Sequence, residues 1–202
     1  PSARQPAATA LARLPGVTLR SASAQGSWAN GTLTLSTLRV QTTDALLQGQ
    51  LTLQPAEQAG QADLRLTSPG AEARLRGALA PLHGTGDITL NVNDAGRVMR
   101  WARPLLNAVS AVGGSATLAA LPSIQGQAAL TASWQGGWQK ADALTVRARL
   151  EVPSLDVRPA GATATHTIKL RGAEVQANGQ LSAMALTARG QVDTQGHRLA
   201  LQ

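Results

Sequence analysis

Catalysis in a chain of 202 residues needs acids, bases, nucleophiles or metal ligands spaced so that they can converge, and few are present. His83, His166 and His197 lie far apart, with no His-x-x-x-His pair and no neighbouring Glu. They read as solvated histidines of turns or of an outer face, and no metal site is expected. Asp63, Asp87, Asp142 and Asp193 stand singly near turns, and no Gly-x-Ser-x-Gly nucleophile motif occurs. Ser and Thr alternate with Leu, which places them on the wet face of strands. The Gly-x-Gly of His83-Gly84-Thr85-Gly86 precedes a strand and not a helix, so it is not read as a phosphate cradle. Absence of cysteine removes disulfide staples, thiolate zinc sites and thiol catalysis together. The chain therefore reads as a non-enzyme without a cofactor.

The formal net charge of +7 comes almost wholly from arginine, with Lys140 and Lys169 the two lysines. The arginines are scattered and alternate with apolar residues, as in Leu64-Arg65-Leu66 and Arg74-Leu75-Arg76, and do not gather into a patch. No nucleic-acid partner is expected from such a distribution. Aromatics are 2% of the chain, Trp28, Trp101, Trp134 and Trp138, so burial must rely on Leu, Val, Ile and Ala. An apolar share of 43% against 14% charged excludes a disordered charged tail. No signal peptide or 20-residue apolar run occurs, and the opening Pro1-Ser2-Ala3 reads as the start of a piece excised from a longer protein.

A short unit recurs, glycine followed by alternating apolar residues: Gly31-Thr-Leu-Thr-Leu35, Gly49-Gln-Leu-Thr-Leu53, Gly86-Asp-Ile-Thr-Leu90, Gly126-Gln-Ala-Ala-Leu130 and Gly179-Gln-Leu-Ser-Ala183. Alternation sends successive side chains to opposite faces of a strand, so each unit predicts a strand with one apolar and one polar face. The predicted strands are Val17–Ala22, Thr32–Val40, Ala45–Gln54, Gln61–Thr67, Ala71–Leu79, Gly86–Val92, Gly126–Trp134, Leu144–Val152, Thr163–Arg171, Val175–Ala183, Met184–Val192 and His197–Leu201. Intervals this short leave no room for crossover helices, which predicts an antiparallel meander. Turn residues punctuate it at Ala29-Asn30-Gly31, Pro69-Gly70, Gly136-Gly137, Pro159-Ala-Gly161 and Gln195-Gly196.

One stretch breaks the alternation. Val98, Trp101, Ala102, Leu105 and Val109 recur at helical spacing, which predicts an amphipathic helix over about 94–111. Asn93 or Asp94 can cap it, Pro104 should kink or restart it, and Gly113-Gly114 should end it. Val98, Trp101, Leu105 and Val109 are its expected packing residues, either as a fixed cover over one end of the sheet or as a lip that moves over the apolar face.

A dozen one-faced strands at about 4.8 Å make a sheet roughly 55 Å wide, too wide for one helix to cover. The sheet must fold into a sandwich, close into a barrel, or curl round a groove, and small inward residues such as Ala132, Ala148 and Ala177 suit a tight curl. The expected fold is mainly β, a curled antiparallel meander forming a taco-like apolar groove with one short helix. Its expected lining is Leu33, Leu35, Leu51, Leu53, Leu64, Leu66, Leu75, Leu79, Ile88, Leu90, Leu130, Leu144, Val146 and Leu150. An open apolar strip of that size marks a binding surface for an apolar partner.

The glycine-led units, the order Gly86-Asp-Ile-Thr-Leu90, then Arg103-Pro104-Leu105-Leu106, then Gly126-Gln-Ala-Ala-Leu130 ahead of Trp134-Gln-Gly136, and the lack of a catalytic cluster resemble the TamB and AsmA-like family of repeating β-groove proteins. The resemblance spans most of the chain and rests on glycine and alternation. It implies a segment of a long periplasmic groove, tethered to the inner membrane by a part outside these residues. The implied role is carriage of phospholipid acyl chains toward the outer membrane. The alternative role is a scaffold for autotransporter or outer-membrane barrel assembly with a barrel partner of the TamA type, its free strand edges pairing with a β-rich client.

Overall fold

The computed structural model describes residues 18–112, 122–140, 142, 144–159, 167–194 and 197–201. It is mainly β. Among the described residues eleven strands follow one another as β1 Leu19–Ala29, β2 Thr32–Thr42, β3 Leu46–Gln54, β4 Ala59–Ser68, β5 Ala71–Leu79, β6 Gly84–Val92, β7 Ser123–Gln135, β8 Thr145–Arg158, β9 Ile168–Gln180, β10 Ala183–Thr194 and β11 His197–Leu201. Each pairs antiparallel with the next in a single curled sheet in chain order, and no ladder joins β1 to β11, so the sheet does not close.

The turns follow from their residues. Asn30 and Gly31 both take positive φ, 49° and 72°, the geometry whose twist matches a tight hairpin between β1 and β2. A single 3-10 turn, Pro55–Glu57, closes β3 to β4. Within the strands, glycine lets neighbouring backbones close in: a Cβ at Gly126, where φ is 133°, would stand 2.2 Å from the Ser154 carbonyl oxygen and 2.8 Å from the Leu155 Cα. A bulge in β2 sets Ser36 and Thr37 against one partner residue, and a second in β8 does so at Val152 and Pro153. Proline is tolerated there because a bulge interrupts the ladder. Bulges raise local twist and bend a strand, and with the glycines they account for the curl.

Two expectations on strand count and limits are corrected. The alternation predicts Thr163–Arg171 and Val175–Ala183 as separate strands, but one strand, β9, runs through 168–180, and residues 163–166 lie outside the described residues. Gly172 reads as a break in sequence; its φ of 54° instead accommodates a register shift against β10 within a continuous strand. The first strand runs to Ala29 and not to Ala22, because the hairpin at Asn30-Gly31 pairs its whole length with β2. Val17 lies outside the described residues, as do Gly161 and Gln195-Gly196.

Helix α1 spans Ala95–Val112 and packs on β7. Asp94 caps it: its Oδ1 accepts from the Arg97 backbone N–H at 2.9 Å. The helix does not restart at Pro104, which lies inside one continuous element. Val98 and Trp101 are half-buried, and Ala95 and Gly96 are buried, a Cβ at Gly96 standing 3.1 Å from the Ile124 carbonyl oxygen. The Leu105 and Val109 side chains and Gly113-Gly114 lie outside the described residues. No helix among the described residues is long and apolar enough to cross a membrane.

Candidate functional site

In an antiparallel ladder directly opposed residues share a face, so register alone shows what each face carries. Leu33 opposes Leu53, and Leu35 opposes Leu51. Leu47 opposes Leu66, while Leu64 opposes Leu75, which opposes Ile88. Leu90 opposes Leu130, Leu130 opposes Leu150, and Leu150 opposes Val175. Trp134 opposes Val146, and Leu79 shares the face through Gly60. Thirteen of the fourteen residues expected to line a groove thus lie on one face of the sheet by pairing. Leu144 stands just before β8, two residues ahead of Val146, where its carbonyl accepts from the Leu181 N–H at 2.9 Å.

The same face holds residues that strict alternation misses. Beyond the β2 bulge the phase shifts by one, bringing Leu38 opposite Gly49 and Val40 opposite Leu47. Beyond the β8 bulge Leu155 pairs with Leu170, and Val157 with Ile168. The β2 shift has a signal in the sequence, the two consecutive polar residues Ser36-Thr37 between Leu35 and Leu38.

Among the described residues no second sheet covers this face. Among the described residues no large side chain is fully buried, and the buried apolar residues are Ala71, Ala95 and Val152. Leu186 is 69% exposed and Ile88 38%. A concavity of about 720 Å³ opens on it, lined by Leu51, Leu53, Leu75, Leu79 and Trp134 among others. That volume falls within the roughly 300–1,000 Å³ of small-molecule sites. The Trp134 ring crosses β6 to reach β5. Its Nε1 donates to the Ala78 carbonyl at 3.2 Å, and the ring occupies the space that Cβ atoms at Gly77 and Gly86 would take.

The opposite face is charged and wet. Arg74 and Arg76 meet Asp63, at 3.2 and 3.6 Å, and Arg65 meets Glu72 at 3.2 Å, all partly exposed. Glu174 is the buried charged residue among those described, held by Arg149 at 2.8 Å, by Arg189, and by the Gln176 amide at 2.6 Å. The Gln176 and Arg189 hydrogen bonds, with the charges of Arg149 and Arg189, hold its carboxyl below the usual range against the opposing effect of burial. This cluster pairs its charges internally, as a structural network does. A concavity of about 460 Å³ on this face is lined by Asp87, Arg147, Arg149 and Asn178 among others, all exposed.

Of the histidines, His83 is exposed in the β5–β6 loop, His197 begins β11, and His166 lies outside the described residues. No group of His, Asp and Glu among the described residues could hold a metal ion. Asp87 and Asp142 are exposed, and Asp63 is committed to its arginines. Comparison with protein-family models, curated proteins and solved structures finds no match to this chain.

Proposed function

We propose that this sheet is a segment of a hydrophobic conduit that holds phospholipid acyl chains on its apolar face, a periplasmic groove of the TamB and AsmA-like kind that carries lipid between inner and outer membranes. The observation that carries the reading is the combination of register and burial: apolar residues share one face across the central strands, and among the described residues Leu186 and Ile88 on that face are exposed and no large side chain is fully buried. A chain of about 15 methylenes costs about 12 kcal/mol to expose to water at roughly 0.8 kcal/mol each. A continuous apolar trough removes most of that barrier, while the leucines and valines that line it lose their own contact with water. The charged outer face keeps the structure in solution without closing the trough.

Lipid co-purifying from a bacterial envelope, read by native mass spectrometry, tests this. Leu130→Asp and Val146→Asp should each abolish bound phospholipid with the circular dichroism spectrum retained, whereas Thr131→Asp on the wet face should keep it. Equal lipid content in all three would refute the conduit.

A scaffold role with an outer-membrane barrel partner of the TamA type is the second reading, and β1 favours it. That strand is eleven residues long, contains no proline and one charged residue, Arg20, and has one ladder partner among the described residues. Such an edge is open to pairing with an added strand. Capture of β-rich peptides by a lipid-free chain, lost when proline replaces Ala22 and Ala24, would favour it over the conduit.

A further inference from the structure

An antiparallel meander in chain order sends alternate connections to the same end of the sheet. The β1–β2, β3–β4, β5–β6, β7–β8 and β9–β10 connections therefore form one rim. That rim holds large apolar side chains in water. Trp28, at the tip of the β1–β2 hairpin, is 63% exposed, and Leu82 in the β5–β6 loop 65%. Trp138 in the β7–β8 connection is 41% exposed and Leu181 in the β9–β10 turn 53%. At the opposite end the β2–β3 and β4–β5 connections are Thr43-Asp44-Ala45 and Pro69-Gly70, with no Leu or Trp.

Three of the four side chains stand beyond the last paired residues of their hairpins, which are Leu79 with Gly84, Gln135 with Thr145 and Gln180 with Ala183. Backbone hydrogen bonds fix the connections that carry them: Gly136 N–H donates to the Gly84 carbonyl at 2.9 Å, Trp138 N–H to Ala80 at 3.3 Å, Gln139 N–H to Pro81 at 2.9 Å and Leu181 N–H to Leu144 at 2.9 Å. Gly137 lets the two larger loops meet, since a Cβ there would stand 2.4 Å from the Leu82 Cα. The apolar face runs up to this rim. Register places Trp28, Leu33, Leu53, Gly60 and Leu79 in one row at the strand ends, and Leu53, Pro55 and Leu79 wall the 720 Å³ concavity there.

The spacing selects the partner. Trp28 and Leu82 are four strand spacings apart, roughly 19 Å, and Trp138 and Leu181 follow on the next two hairpins. A protein partner would need a packed socket for each of these separate anchors. A bilayer interface is fluid and takes them without a shape match, tryptophan at the headgroup level and leucine beneath it. Among the described residues the formal charges of these connections are Glu57, Lys140 and Asp142, so no cationic cluster is there to draw anionic lipid. We infer that this rim is a membrane-docking edge that inserts Trp28, Leu82, Trp138 and Leu181 into the interface of a phospholipid bilayer, where an acyl chain leaving the bilayer meets Leu79 and Leu53 without crossing water. The loading step rests on the conduit reading and names the surface from which the groove is filled.

Flotation of the full chain with dioleoylphosphatidylcholine vesicles tests the docking edge. Lipid carried after loading from detergent micelles of the same lipid, read by native mass spectrometry, tests the conduit separately. The wild-type chain should float equally at about 0.1 and 1 M NaCl, since apolar insertion is not screened. Trp28→Ser, Leu82→Ser, Trp138→Ser and Leu181→Ser should each weaken partition about tenfold, the scale of burying a large apolar side chain part-way. The four together should abolish flotation with circular dichroism and micelle-loaded lipid unchanged. Leu199→Ser, at a residue 61% exposed in β11 and away from this rim, should float as the wild type does. Flotation of the four-serine chain equal to wild type, or a loss on Leu199→Ser as large as on Leu82→Ser, overturns the docking edge. A wild-type chain that carries lipid yet does not float overturns the edge and leaves the conduit standing. A chain that neither floats nor carries lipid overturns both.

Discussion

If the curl of the sheet depends on glycine at close strand crossings, Gly126→Ala should be far more damaging than a surface-neutral methyl group suggests. The added Cβ would stand 2.2 Å from the Ser154 carbonyl oxygen and 2.8 Å from the Leu155 Cα, both main-chain atoms that no rotamer change can move. The φ of 133° adds backbone strain of about 1–3 kcal/mol. Prising β7 from β8 adds about 1–3 kcal/mol more, the usual range for overpacking. The expected loss is therefore about 2–6 kcal/mol. Gly31→Asn is the control: its φ of 72° is one that Asn tolerates, and nothing lies within 4 Å of an added Cβ. It should cost less than about 1 kcal/mol. With a urea slope of about 2 kcal/mol per M, Gly126→Ala should lower the unfolding midpoint by at least about 1 M and Gly31→Asn by less than about 0.5 M. Equal midpoints would refute the claim that glycine permits the approach of β7 to β8.

Three further outcomes follow from individual contacts. Asp94→Ala removes the cap of α1 and should cost about 0.5–2 kcal/mol, measured by thermal melting, with Asp94→Asn restoring most of it. Glu174 has a folded pKa below its unfolded one, so the stability its ionised cluster contributes is present above the ordinary glutamate range and is lost as pH falls through the folded value. The stability difference between the wild-type chain and Glu174→Gln should hold steady from about pH 7 to 5 and shrink below about pH 4; a difference independent of pH would contradict the cluster. Leu38→Asp should abolish lipid binding while Thr37→Asp does not, because the β2 bulge shifts the apolar phase by one residue; the reverse result would place the bulge elsewhere.

The fold was legible where strands are regular. Leu144, Val146, Ala148, Leu150 and Val152 alternate without interruption, and pairing places the four within β8 on one face. Legibility ends where a bulge shifts the phase. Leu38, Val40, Leu155 and Leu170 share the apolar face only because an extra residue in a neighbouring stretch flips the parity, which is a property of pairing and not of a single strand. Gly172 shows the same limit in reverse, since a glycine that looks like a break serves as a kink within β9. Helix α1 was readable in both period and cap, whereas the close approach of Gly96 to the Ile124 carbonyl of β7 carries no signal in hydrophobicity. The joining of the β5–β6 and β7–β8 loops had no local signal, because Trp138 and Gln139 donate to the carbonyls of Ala80 and Pro81, residues remote in sequence.

Alternating photocrosslinking along β7 in cells tests the central claim most directly. A benzophenone amino acid placed in turn at Leu130, Thr131, Ala132 and Ser133 samples the two faces residue by residue, since opposed pairs put Leu130 and Ala132 on the apolar face and their neighbours on the other. The account predicts phospholipid adducts at Leu130 and Ala132 and none at Thr131 and Ser133. Adducts at all four positions, or protein adducts alone at the inward ones, would contradict it.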